Sequence, residues 1–188
     1  MPPKLHIIVT STREQRAVTS VASWFVEQAT QHGKFEIQVI DLKEMKLPLL
    51  DEPFHPTQRR YQHDHTKAWS KSVEVADAFV FIVPEYNYGM PPALLNALDY
   101  LYYEWNYKAA GFVSYGGISG GTRSVQMTKQ VLTTLKVVPL PEAVTLPFFA
   151  KHVDADKKFN PDESQQKAVT TMLDELLRWT TALRTLRA

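Results

Sequence analysis

Three short stretches concentrate the residues able to do chemistry. The first, Thr10-Ser11-Thr12-Arg13-Glu14-Gln15-Arg16, sets three hydroxyls and two guanidinium groups where a helix should begin. A helix N-terminus leaves N–H groups unpaired and carries partial positive charge, which suits a phosphate. The plainer alternative is a capped helix, with Ser11 or Thr12 as the cap and Glu14 or Gln15 behind it. The second stretch, from Val83 through Pro84, Glu85, Tyr86, Asn87, Tyr88, Gly89 and Met90 to Pro91 and Pro92, is too polar and aromatic for a simple connector. The third, Ser114 to Gly121, holds Gly116, Gly117, Gly120 and Gly121, four of only seven glycines in the chain. Glycine lets backbone approach a flat ligand closely, although a mobile surface turn would share this composition. There is no G-x-x-x-x-G-K and no G-x-G-x-x-G, which argues against nucleotide hydrolysis and a dinucleotide fingerprint.

These stretches need elements to position them. Leu5–Val9, Phe35–Ile40, Ala78–Val83 and Ala110–Tyr115 read as strands, and 137–140 with 143–146 as a fifth. Helical spacing runs through Val18, Val21, Ala22, Phe25, Val26 and Ala29 to a stop at Gly33. A second helix starts at Pro91 or Pro92 and carries the stripe Leu94, Leu95, Leu98 and Leu101. Two more cover roughly 122–135 and 162–186. Strands alternating with helices imply a mostly parallel sheet covered on both faces. In such sheets ligands bind at the carboxyl ends of strands, and turns 10–16, 84–90 and 114–121 all fall there.

The run PEYNYGMPPALLNALDY closely resembles the signature of the NADPH-dependent FMN reductase family. STREQR after strand one, LPLLDEP at 47–53 and SYGG at 114–117 match other landmarks of that family, so the resemblance spans about 5–130. It implies a flavodoxin-like, doubly wound five-stranded parallel α/β sheet in the order 2-1-3-4-5, built as a single FMN-binding domain over 1–188. It implies bound FMN, with NADPH or NADH as hydride donor and a quinone, azo compound, free flavin or oxidised metal ion as acceptor. Carried over by position, Ser11, Arg13, Arg16 and the turn through Val18 would hold the FMN phosphate. Pro84, Glu85, Tyr86 and Asn87 would border the flavin ring, and Ser114, Tyr115, Gly116 and Gly117 its other edge. Thr10 departs from the glycine many relatives carry before the serine. The flavin carries the chemistry, so no catalytic side chain is assigned; Asn87 can clamp a ring edge because an amide both donates and accepts. Glu85 is expected to pair with a cation rather than act as an acid. Arg13, Arg16, Arg123 and Lys108 are the cations considered for a donor 2′-phosphate.

Composition bounds the rest. A length of 188 residues suits one substantial core. A net charge of +1 gives no electrostatic reason for nucleic acid or membrane partners, and argues against a strongly acidic flavodoxin-type carrier, the main rival reading beside a flavin-binding sensor. No run approaches the ~20 apolar residues of a membrane span, and the cytoplasm is the default expectation. Zero cysteines exclude disulfides and thiolate metal sites. His55, His63 and His65 stand beside Asp51, Glu52 and Asp64; we expect a solvated rim loop and no metal. Tyr100, Tyr102, Tyr103, Trp105 and Tyr107 suggest homodimer or dimer-of-dimers packing beside the flavin.

Overall fold

The computed structural model describes residues 1–14, 16 and 18–187. Its strands are β1 (Lys4–Val9), β2 (Glu36–Asp41), β3 (Ala78–Pro84), β4 (Ala109–Tyr115), β5 (Val138–Pro139) and β6 (Val144–Leu146). All pairings are parallel and the order is β2-β1-β3-β4-β5, with β6 also on β4. The expected order is therefore present, with its fifth position divided. Pro139 and Pro141 flank this edge, and proline cannot donate to a ladder, so a long fifth strand is not formed.

The helices are α1 (Val18–His32), α2 (Leu42–Met45), α3 (Asp64–Glu74), α4 (Pro92–Asp99), α5 (Thr122–Thr134) and α6 (Glu163–Leu183). Strand alternation sorts them into two layers. Leu5, Ile7, Val80 and Ile82 pack toward α1 and α6, whereas Ile8, Phe79, Phe81 and Val83 pack toward α3, α4 and α5. Gly111 lets α6 approach β4 closely: a Cβ there would lie 2.9 Å from the Met172 sulfur.

Two expectations about elements need correction. The stretch 51–66 is not all rim loop, because α3 begins at Asp64 and buries Thr66, Trp69 and Val73. The indole of Trp69 donates to the Ala97 carbonyl at 2.8 Å, which anchors α3 on α4. The helix after the prolines ends at Asp99, so Leu101 lies beyond it, although buried. Of the aromatic series, Tyr100 and Trp105 are fully buried core residues and Tyr103 is exposed.

Candidate functional site

The turns after β1, β3 and β4 converge at the carboxyl edge of the sheet around a cleft of about 460 Å³. That volume lies within the range of small-molecule sites. Ser11, Arg13 and Arg16 line one side, Pro84, Glu85 and Tyr86 a second, and Tyr115, Gly116 and Gly117 a third. A fourth wall, Phe148 to Lys151, follows β6. A larger groove of about 1020 Å³ runs outside this cleft, between α1 and residues 153–159. Its walls mix Lys43, Lys157 and Lys158 with Glu14, Glu27 and Asp156, so it offers no single charge to a ligand.

The first turn is built from inside. Thr10 is fully buried, and its hydroxyl donates to the Ile82 carbonyl at 2.8 Å, splicing the loop onto β3. Ser11 is also buried, and its hydroxyl lies 2.8 Å from that of Tyr86, which joins the first turn to the second. Arg16 donates to the Ser11 carbonyl at 2.7 Å and forms a two-pronged pair with Asp41 at the end of β2. Arg16 is thus engaged as a brace, whereas Arg13 is exposed and lines the cleft. Val18 is buried at the first position of α1, so it can offer only backbone to the cleft. Gln15, the alternative capping partner, lies outside the described residues.

The second turn is a tight hairpin. Tyr86 and Gly89 exchange backbone hydrogen bonds of 3.0 and 2.9 Å around Asn87 and Tyr88, whose φ values are +50° and +69°. Those angles define a type I′ turn, a conformation that asparagine tolerates. Asn87 therefore stands exposed at the turn apex and does not line the cleft.

Glu85 ties the second turn to the third. Its carboxylate accepts from Ser119 Oγ at 2.8 Å, Arg123 N at 3.2 Å and Arg123 Nε at 2.7 Å, and pairs with Arg123 Nη2 at 2.5 Å. Burial raises its pKa, but the Arg123 and Ser119 bonds outweigh that and hold it below the ordinary 4.5. A lowered carboxylate at the first turn of α5 is an N-terminal cap supplied by another loop, not a proton donor. The Arg123 guanidinium also lies 3.8 Å from the centroid of the exposed Tyr88 ring.

In the third turn the glycines differ in role. A Cβ on Gly120 would lie 2.6 Å from Thr145, and one on Gly121 would lie 2.9 Å from Ser114 Cβ and from the Tyr115 nitrogen. At Gly117 a Cβ would meet nothing within 4 Å. Packing within the protein therefore needs no glycine there. Ser114 is fully buried behind the turn, with no partner for its hydroxyl among the described residues. Burial, with Tyr86 close by, pushes the Tyr115 hydroxyl pKa well up, so it stays neutral.

The fourth wall was not foreseen from the sequence. Phe149 packs edge-on against Tyr115 at 5.0 Å, and the Phe148 N–H donates to the Gly117 carbonyl at 2.9 Å. The available signal was position alone: LPFFAK follows a strand on the same edge as the other turns. Of the sequence-assigned site residues, nine line the cleft together, whereas Val18, Asn87 and Ser114 do not. The histidines bind locally: His65 Nε2 lies 3.0 Å from Asp51 Oδ1 and His63 stacks on His65 at 5.2 Å. Among the described residues no group of three His, Cys, Asp or Glu side chains could hold a metal ion.

Residues 3–151 match the family model described as NADPH-dependent FMN reductase. The NAD(P)H-dependent FMN reductase C4B3.06c of Schizosaccharomyces pombe is 42% identical over 149 residues, covering 77% of this chain and 74% of that protein. The NAD(P)H-dependent FMN reductase LOT6 of Saccharomyces cerevisiae is 35% identical over 167 residues, covering 75% and 86%. Among solved structures, the flavoenzyme NAD(P)H:(acceptor) oxidoreductase FerB from Paracoccus denitrificans superposes with a TM-score of 0.73 at 21% identity, covering 96% of this chain and 98% of that one. At that identity the likeness concerns the flavodoxin-like fold.

Proposed function

The chain belongs to the NADPH-dependent FMN reductase family, and from that premise we propose that its four-walled cleft holds FMN and passes electrons from NAD(P)H to a small acceptor. The observation that carries this reading is Gly117: a glycine free of packing demands in a cleft of about 460 Å³ that Pro84, Tyr115 and Phe149 also line. A planar ring needs such an opening between apolar walls, and the residues present fit it. Arg13, exposed beside the start of α1, supplies the charge for the phosphate. Tyr86 and Ser11 keep that turn against the ring-binding turn through their 2.8 Å contact.

When bound, FMN supplies the redox chemistry, accepting a hydride equivalent from NAD(P)H and returning two electrons to a quinone, azo compound, free flavin or oxidised metal ion. The chain's own residues bind and orient. Glu85, Ser119 and Arg123 fix the distance between the two ring-side turns, and no side chain of the cleft is assigned a proton-transfer step. The neutral Tyr115 hydroxyl and the ion-paired Glu85 keep the ring-side walls free of unpaired negative charge.

The reading extends to a single domain over 1–188, a homodimer or dimer of dimers, and a cytoplasmic location. The exposed Leu49, Leu50 and Tyr103 support the assembly, because exposed apolar side chains favour association. No helix among the described residues is long and apolar enough to cross a membrane. Sedimentation of the purified protein tests the assembly, and cell fractionation tests the location. The activity is tested by purifying the protein, measuring FMN content, and following NADPH oxidation with a quinone. Steady turnover supports the proposal; yellow protein reduced only by a partner reductase would point to an electron carrier, and protein that takes up no FMN would refute both.

A further inference from the structure

We propose that Phe148 and Lys151 recognise the adenosine 2′-phosphate end of the hydride donor and so set a preference for NADPH over NADH; this rests on the cleft being the FMN site. Phe148 has φ +46° and ψ +37°. A bulky side chain rarely occupies the left-handed region, and such strain tends to persist at binding sites. Burial does not explain it, because the ring is 47% exposed. Backbone bonds hold the residue in place: its N–H donates to the Gly117 carbonyl and its carbonyl accepts from Lys151 N–H, each at 2.9 Å. The backbone that carries the ring is therefore tied to the same turn that supplies the open glycine.

Lys151 adds the charge. Its ammonium lies 4.9 Å from the Phe148 ring centroid, it lines the cleft, and it forms no ion pair among the described residues. The other cations are committed elsewhere. Arg16 is held by Asp41, and Arg123 by Glu85. Lys108 is buried at the amino end of β4, donating to the Val73 and Glu74 carbonyls at 2.7 and 3.0 Å. Arg13 stands across the cleft beside α1, where the FMN phosphate is assigned. An exposed aromatic ring with an adjacent ammonium matches a purine base carrying a nearby phosphate, since bases stack on aromatic faces and phosphate pairs with lysine. NADH carries the same base without the 2′-phosphate. Phe148 should therefore serve both nucleotides, and Lys151 only NADPH.

The test uses FMN-loaded wild type, Lys151→Ala and Phe148→Ala. Steady-state kinetics with a fixed quinone give KM for each nucleotide, and calorimetry without turnover gives Kd for 2′,5′-ADP and for 5′-AMP. For Lys151→Ala, the KM for NADPH and the Kd for 2′,5′-ADP should each rise about tenfold, the scale of one lost charge-assisted contact. The values for NADH and 5′-AMP should stay within about twofold of wild type. Phe148→Ala should weaken both nucleotides. A Lys151→Ala variant whose NADPH values are unchanged, or whose NADPH and NADH values rise together, overturns the proposal while the FMN reading stands. Wild-type protein that takes up no FMN overturns the parent reading and this one with it.

Discussion

Arg13 and Arg16 stand three positions apart and do different work. Arg16 is turned inward onto Asp41 and the Ser11 carbonyl, so removing it leaves a part-buried carboxylate and a carbonyl without their donor. Arg16→Ala should lower stability by roughly 1–3 kcal/mol, read as a fall in urea midpoint. Arg13 faces the cleft, so Arg13→Ala should leave that midpoint unchanged while FMN affinity falls about tenfold or more, measured by flavin fluorescence on titration. Unchanged affinity would remove Arg13 from the phosphate site. Glu85 adds a pH dependence whose sign follows from its lowered pKa. Its bonds to Ser119 and Arg123 contribute fully above the ordinary value of 4.5 and are lost as pH falls through the lower folded value. Flavin release from wild type should therefore begin below pH 4.5. Glu85→Gln should hold FMN more weakly at neutral pH and lose that acid-dependent step; a variant releasing flavin with the wild-type profile would contradict the strut.

At the scale of elements, the glycine-rich turn separates folding from binding within five residues. Gly121→Ala puts a methyl group 2.9 Å from Ser114 Cβ at φ +88° and should cost on the order of 1–3 kcal/mol of stability. Gly117→Ala meets no protein atom within 4 Å, so stability should hold while FMN affinity drops; thermal unfolding of the two apo variants beside flavin titration separates the effects. The sequence displayed this cluster but not the division of labour, which depends on contacts with Ser114 and Thr145 across the fold. The long apolar strands β1, β3 and β4, and the proline start of α4, were legible because local pattern and tertiary role agree there. Helix α3 is not legible from pattern because the histidines and charges around Asp64 obscure the buried spacing of Thr66, Trp69 and Val73. The Asn87 amide is visible in the sequence, but its positive-φ place at a turn apex is not, because that depends on the Tyr86–Gly89 pairing. The Phe148–Lys151 wall carries no motif, and only knowing which strand ends lie together exposes it.

At the scale of the whole molecule, the two ends of the sheet carry different duties and should respond to acid in sequence. The carboxyl edge holds the cleft. The opposite edge is fastened by Asp77, which accepts from Lys4 N at 2.8 Å, from Arg184 Nη2 at 2.7 Å and from Arg187 Nη2 at 3.2 Å. Beside it His6 is fully buried in β1, and neither ring nitrogen has a partner among the described residues. Burial, reinforced by Lys108 and Lys4, lowers its pKa from 6.5 to about 4, with Asp77 the opposing influence. Between those values the unfolded chain binds a proton that the folded chain refuses, so stability declines as pH falls from 6.5 toward 4. The loss should reach a few kcal/mol, on the order of 1.4 kcal/mol per pKa unit. Urea midpoints across pH 4–7 should show this slope in wild type and a shallower one in His6→Leu, which fills similar space without a titrating ring. Flavin retention should stay flat over most of that window, because Glu85 still carries its charge above pH 4.5. Equal slopes in wild type and His6→Leu would show that another buried group governs acid stability. Flavin loss that tracks the His6 slope would mean that the two edges of the sheet are coupled.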